Sequence, residues 1–358
     1  MVIALPQKNI SKNVINMINL KYLFFFICFI SFSEGISSSD ANNLKNDQKT
    51  QIFIIYGQSN ASGRGELSLS EIITDSISFF FSSVDSDLKN KNLMYRKCRR
   101  YFKHVPPKEN CGFLMPITNR VDDMYKYGGY SAWKSFSNTL KKKDVKHLII
   151  NASVGGTSLK QLMKGNYDQR GESNYRYENL IWAVKNSISE IGLENIERIS
   201  TIILHGENDA EYMALNNINY ESYFKEYFQD MEILVNSINN DIGFRKMDSY
   251  IIRMVIGSKS SNNNSRLEDI KNDLGYWQIE FGCKKSNIIK PISVIPAFFS
   301  SADDSLHPDG EHISRIGLDI LGEDVAKKLL NDDIDYVTKE LCRLNKSLSP
   351  KLIFNRPF

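Results

Sequence analysis

Residues 51–65 read QIFIIYGQSNASGRG. The first six form a short apolar run rich in β-branched and aromatic side chains. Gly57 closes it, and the pattern predicts a buried strand over 51–56. The residues after it are small, polar and glycine-marked, the composition of a tight turn rather than of a core. The same grammar recurs along the chain. HLIIN (147–151), ISTIIL (199–204), SYIIRMVI (249–256) and IKPISVIP (289–296) read as further strands. Longer amphipathic stretches separate them, and these predict helices over Ala132–Lys143, Tyr177–Ile191, Tyr220–Ile238, Leu267–Phe281 and Ile313–Leu330. Strands alternating with helices predict an α/β fold: a central parallel sheet of about five strands covered by helices on both faces, in three α/β/α layers.

Open parallel sheets bind ligands beyond the carboxyl ends of their strands. Four loops fall there: GQSNASGRG (57–65), NASVGGTS (151–158), HGENDA (205–210) and DDSLHP (303–308). Together they place Ser, Gly, Asn and Asp/His at one edge of the predicted sheet.

Composition narrows the class. The chain has 358 residues, 42% hydrophobic and 24% charged, with a formal net charge of +3. That excludes a disordered chain and a polytopic membrane protein. It also lacks the strongly basic balance of a nucleic-acid partner, so none is expected. Residues 1–35 look like a targeting segment. Lys8, Lys12 and Lys21 precede the uncharged run YLFFFICFISF (22–32), which has the length of a signal-peptide core and falls short of a membrane span. Cleavage after Gly35 is expected, and no membrane association after it. An uncleaved anchor is the rival reading, and Met17 is an alternative start. Removing 1–35 takes away three Lys and one Glu and lowers the formal net charge from +3 to +1. Residues 36–50 read as a linker, 51–330 as the functional domain with a long insertion at 66–127, and 331–358 as a C-terminal extension.

Cys98, Cys111, Cys283 and Cys342 remain after such cleavage, an even number that permits disulfides in an exported chain. Cys98–Cys111 closes a short loop and is the favoured pair; four free thiols are the alternative. No CxxC motif exists to suggest a zinc ribbon, and neither a metal nor a cofactor is expected.

The four loops contain what acyl transfer needs: a nucleophile, a base, a group to orient the base, and donors for a developing oxyanion. Ser59 stands on a strand-to-helix turn, where its own amide is one oxyanion donor. Gly156 or Gly155 offers a second amide, and Asn208 a side-chain NH₂. His307 can take the proton of Ser59, and Asp304, three residues earlier, can hold the imidazole; Asp303 is the rival for that role and otherwise a capping residue.

These blocks resemble the SGNH hydrolase superfamily, whose members carry Ser, Gly, Asn and His in this chain order. GQSNASGRGE, GGTS, GENDA and DSLH are similar to the sialate O-acetylesterase-like group, carbohydrate esterase family six. YSAWKSFSNTL and RYENLIWAV resemble that family's first two helices. The resemblance spans about residues 50–330 and implies a flavodoxin-like SGNH fold. It further implies a secreted, metal-independent serine esterase that removes O-acetyl groups from a carbohydrate. The implied site is Ser59, Asp304 and His307 as catalytic residues, with Ser59, Gly155, Gly156 and Asn208 as the oxyanion hole. Gln58, His205 and Glu207 are expected at the substrate, although Glu207 and Asp209 also suit a structural role, bonding nearby loop amides. Two departures stand out: His205 replaces a common Gln, and Asn208 a common Ser. Acetylxylan esterase, lipase or thioesterase activity are alternatives on the same machinery. A catalytically silent glycan-binding protein is the alternative of another class.

The remaining polar features have plainer readings. His104, His147 and His312 are expected at the surface or in the core. Lys97, Arg99, Arg100, Lys103 and Lys108 read as a solvated loop face. Asn60, Asn151, Asn263 and Asn345 begin N-x-Ser sequons, but Asn60 lies in the candidate site, where a glycan is hard to reconcile with activity.

Overall fold

The computed structural model describes residues 48–62, 78–82, 113–116, 131–153, 155–165, 176–216, 218–255, 265–306 and 312–348. The signal-like segment, Cys98, Cys111, His104, the basic cluster, the sequon at Asn263 and His307 lie outside them.

In chain order the elements are β1 (Thr50–Gly57), α1 (Ser59–Ser62), β2 (Ser78–Ser82), β3 (Phe113–Pro116), α2 (Ala132–Lys141), β4 (His147–Asn151), α3 (Leu159–Leu162), α4 (Arg176–Ile191), β5 (Ile196–Leu204), α5 (Glu207–Leu215), α6 (Tyr220–Ile242), β6 (Met247–Ile252), α7 (Ser265–Lys284), β7 (Lys290–Ser293), α8 (Arg315–Leu329) and α9 (Ile334–Lys346). They build one sheet with strand order β3-β2-β4-β1-β5-β6-β7. All neighbours run parallel except β2 and β3, which pair antiparallel. Counted alone, the five expected strands run second-first-third-fourth-fifth, the doubly wound order of flavodoxin-like sheets, whose ligand crevice opens beside the first strand.

The alternation in β1 produces the two outer layers. Ile52, Ile54 and Tyr56 join a core with α4, α6 and α7, while Phe53 and Ile55 join a second with α2 and α8. Burying each such side chain stabilises the fold by about 1.5–3 kcal/mol. Helix starts follow their caps: the Asn219 side chain accepts from the amides of Glu221 and Ser222 at α6, and Asp333 accepts from Tyr336 at α9. His147 is a core residue, as expected, with Nδ1 donating to the Val145 carbonyl at 2.7 Å and Nε2 facing Ser137 Oγ at 2.8 Å.

Several expectations need correction. The strand expected over 249–256 begins at Met247 and ends at Ile252. The strand expected over 289–296 is only Lys290–Ser293, because Pro296 sits in a following 3₁₀ turn. The insertion contributes two strands, β2 and β3, that extend the sheet beyond β4. The C-terminal extension carries α9, which packs Val337 and Leu341 against Ile279 and Val294. Cys283–Cys342 is a disulfide that staples α9 to α7, which corrects the reading of four free thiols. Beside it, fully buried Arg253 donates to Asn345 Oδ1 at 3.1 Å. Among the described residues no helix is long and apolar enough to cross a membrane.

Candidate active site

The turn after β1 is fixed from several sides. A Cβ on Gly57 would stand 2.0 Å from the Leu204 carbonyl oxygen, so only glycine lets β1 and β5 end this close together. The Ser62 amide donates to the Gln58 carbonyl at 2.9 Å, and Trp133 Nε1 donates to the Ala61 carbonyl at 2.6 Å. Ser59 opens α1 at this point and keeps 9% of its surface exposed.

The neighbours of Ser59 bind the loop after β5. Gln58 Oε1 accepts from the Asn208 amide at 3.2 Å. Asn60 Nδ2 donates to Glu207 Oε1 at 2.8 Å, while Asn60 Oδ1 accepts from the Ile313 amide at 3.0 Å. Asn60 therefore joins two of the four loops, and the segment just before α8, through one side chain. It is buried, which leaves no room for a glycan at that sequon in the folded chain. Asn345 is fully buried too and bonded to Arg253 and Tyr276, so the same holds there.

His205 has no exposed surface. Its Nε2–H donates to the Thr157 carbonyl at 2.9 Å, and Nδ1 faces the Tyr227 hydroxyl at 3.3 Å. Burial pushes its pKa down to about 4, so the ring is neutral. The Asp209 carboxyl 3.7 Å from Nδ1 is accordingly no ion-pair partner. Asp209 accepts from the Leu159 amide at 3.1 Å and the Tyr223 hydroxyl at 2.8 Å, the structural role expected of it. Burial raises its pKa to about 7. Gln278 Nε2, also buried, donates to the His205 carbonyl at 2.5 Å and Tyr227 Oη at 3.0 Å.

Gln58, His205 and Glu207 were expected at the substrate. All three are buried, and their described bonds run to protein groups. One Glu207 oxygen, Oε2, is buried with no hydrogen-bond partner. Asn208, half-buried, starts the exposed face of α5. Gly155 and Gly156 form a turn; a Cβ on Gly156 would meet nothing within 4 Å, so crowding does not demand glycine there, whereas its φ of 66° does.

In the last loop the two aspartates part company. Asp303 Oδ1 accepts from the Ser305 amide at 3.0 Å and from the Ser305 hydroxyl, the capping role expected of it. The Ser305 hydroxyl holds its carboxyl below the ordinary range. Asp304 is exposed with a left-handed φ of 57°, and its carbonyl accepts from the Ser314 hydroxyl. The Asp304–His307–Ser59 relation lies outside the described residues.

Sequence reasoning passed over Asn60 except as a sequon, and missed Tyr227 and Gln278. Gln278 did leave a signal: it is a polar residue on the apolar stripe of α7, beside Leu274, Trp277 and Phe281.

A flavodoxin-like sheet with serine, glycine, asparagine and aspartate loops at one edge is the architecture of an SGNH-type hydrolase. Residues 49–331 match the family model for carbohydrate esterase, sialic acid-specific acetylesterase, and the chain belongs to that family. Among solved structures it is similar to an Arabidopsis thaliana protein, with TM-score 0.50 and 17% identity over 79% of this chain and 99% of that one. A carbohydrate acetylesterase from Xanthomonas citri gives TM-score 0.45 and 14% identity over 81% of this chain and 57% of that one. An acetylxylan esterase from Geobacillus stearothermophilus, as a catalytic mutant, gives 0.39 and 12% over 79% and 95%. A search of curated proteins returns no match.

Proposed function

We propose that this chain is an exported serine esterase that removes O-acetyl groups from a carbohydrate. His307, oriented by Asp304, takes the proton of Ser59 Oγ as that oxygen attacks the acetyl carbonyl. The amides of Ser59 and Gly156 (or Gly155) and the Asn208 side chain stabilise the oxyanion. Collapse breaks the ester C–O bond, and His307 returns the proton to the departing sugar oxygen. Water, activated by His307, then hydrolyses the acetyl-Ser59 ester and releases acetate. Gln58, Glu207 and His205 act from below, by fixing the loops that carry Ser59 and Asn208.

The observation that carries this reading is the bracing of Ser59. Both its neighbours in sequence are bound to the loop that presents Asn208, at 3.2 Å through Gln58 and 2.8 Å through Asn60. Such fixing is what a preorganised site requires. Membership of an acetylesterase family supports the reaction class, and the Cys283–Cys342 disulfide supports an oxidising compartment. Acetate release from O-acetylated sialosides, xylan and a p-nitrophenyl ester series tests the proposal, together with phosphonate labelling of Ser59. Labelling elsewhere overturns the triad. A preference for long acyl chains points to a lipase or thioesterase, and glycan binding with no turnover to a silent binding protein. Sequencing the mature N-terminus tests cleavage after Gly35.

A further inference from the structure

Helix α5 begins at the candidate site and runs away from it with one buried and one open side. Asp209, Ala210, Met213 and Ala214 are buried, whereas Tyr212 is 49% and Leu215 78% exposed. Asn208, Tyr212 and Leu215 are spaced i, i+4, i+7, so they share one face. At 1.5 Å per residue, Tyr212 lies about 6 Å and Leu215 about 10 Å along the axis from Asn208. The Tyr212 ring is 6.1 Å from that of Tyr223, tilted by 43°. Tyr223 is itself anchored: its hydroxyl donates to Asp209, which also accepts from the Leu159 amide. The open aromatic is thus tied, through Asp209, to the loop that presents Asn208 and to the start of α3, just past the Gly155–Gly156 turn.

We infer that Tyr212, backed by Tyr223, is a sugar-stacking platform for the substrate. The inference deepens the esterase reading above and rests on it. A pyranose ring presents an apolar C–H face rimmed by hydroxyls, and a tyrosine offers the complementary surface, an apolar ring with a polar tip. An acyl chain suits the position poorly, since one ring on an open helix face gives no enclosure. An anionic membrane suits it worse, because α5 carries neither Lys nor Arg. Continuity decides the occupant: a sugar whose ester reaches Asn208 has its ring one helical turn away.

The test compares the parent, Tyr212→Ala and Tyr212→Trp on O-acetylated xylotriose, a 9-O-acetylated sialoside and vinyl acetate, which has no ring. For whichever sugar ester the parent accepts, Tyr212→Ala should raise KM about tenfold with kcat little changed, the size of one aromatic contact. Preference for the sugar ester over vinyl acetate then falls by the same factor, and Tyr212→Trp keeps it. Unfolding midpoints identify a variant that has merely lost stability. Equal losses on all three esters, or no loss, overturn the platform and leave the esterase reading standing. A parent that hydrolyses vinyl acetate but neither sugar ester also overturns it. A parent inert on all three removes the esterase reading, and the platform with it.

Discussion

Asn60 Nδ2 donates to Glu207 Oε1 at 2.8 Å across 147 residues of sequence, and the other end of the same amide accepts from Ile313. Asn60→Ala leaves a buried carboxylate oxygen and a buried amide unsatisfied, each costing about 1–3 kcal/mol. Denaturant unfolding should therefore show a loss of about 2–6 kcal/mol in stability, with ester hydrolysis falling further as Ser59 loses its brace. Asn60→Asp should also destabilise, because it removes the Nδ2 donor that Glu207 Oε1 accepts from. A variant as stable as the parent removes Asn60 from this role.

Asn208→Ala should lower kcat by about 10²–10³, the loss expected for one oxyanion donor. KM should change little, because the contact forms mainly in the transition state. Initial rates over a range of substrate concentrations separate the two, and an effect confined to KM makes Asn208 a substrate ligand instead.

The strands were legible because four of the five are β-branched apolar runs ended by polar or glycine turns, the signature of parallel strands covered on both faces. What escaped was non-local. Nothing near SFFFS (78–82) or FLMP (113–116) signals that they pair with each other and with β4, since neither segment is stable as a strand until its partners are present. The loop expected over 205–210 passes into α5 at Glu207, and the rest of that helix escaped notice, because ENDAEYMAL begins with a polar motif and shows little amphipathic contrast. Helix α9 was readable, with Ile334, Val337 and Leu341 at helical spacing, but it lies beyond the resemblance. In the site, Ser59 and Asn208 were legible as motif residues. The bracing by Asn60, Gln58 and Gln278 was not, because each bond joins residues 73–253 positions apart.

Asp304 and Asp303 should behave differently on replacement. Asp303 spends its Oδ1 on Ser305, so Asp303→Asn should cost stability, about 1 kcal/mol, more than rate. If His307 is the base, kcat/KM rises with pH through an ionisation near or above about 6.5, and Asp304→Asn lowers both that pKa and the rate. A flat profile through neutrality removes histidine from the mechanism. An Asp303 variant with the larger rate loss moves the orienting role by one residue.

Replacing Cys283 and Cys342 together by serine opens a loop of sequence separation 59. The chain-entropy model predicts a loss of about 4 kcal/mol. Because α9 also holds on through Val337, Leu341 and the Arg253–Asn345 bond, the helix should loosen before the sheet melts. Hydrogen exchange should therefore rise first in 334–346; uniform exchange along the chain contradicts this order.

His205 and Asp209 should impose opposite pH dependences on stability. His205 titrates near about 4 in the folded chain, and near about 6.5 unfolded. Between those values the unfolded chain binds the extra proton, so this group makes stability fall as pH falls. Asp209 titrates near about 7 folded, against 3.8 for the ordinary carboxyl. Between those values the folded chain holds the extra proton, so this group makes stability fall as pH rises. From about pH 4 to 6.5 the two slopes oppose each other, and the parent should feel little from the pair. Asp209→Asn removes the second slope. The stability of that variant relative to the parent should therefore decline as pH drops from about 6.5 to about 4, by about 1–3 kcal/mol, on top of any constant cost. Thermal melts of both proteins at several pH values measure the difference directly. A difference that stays constant across the window means that the buried pair does not titrate in this way.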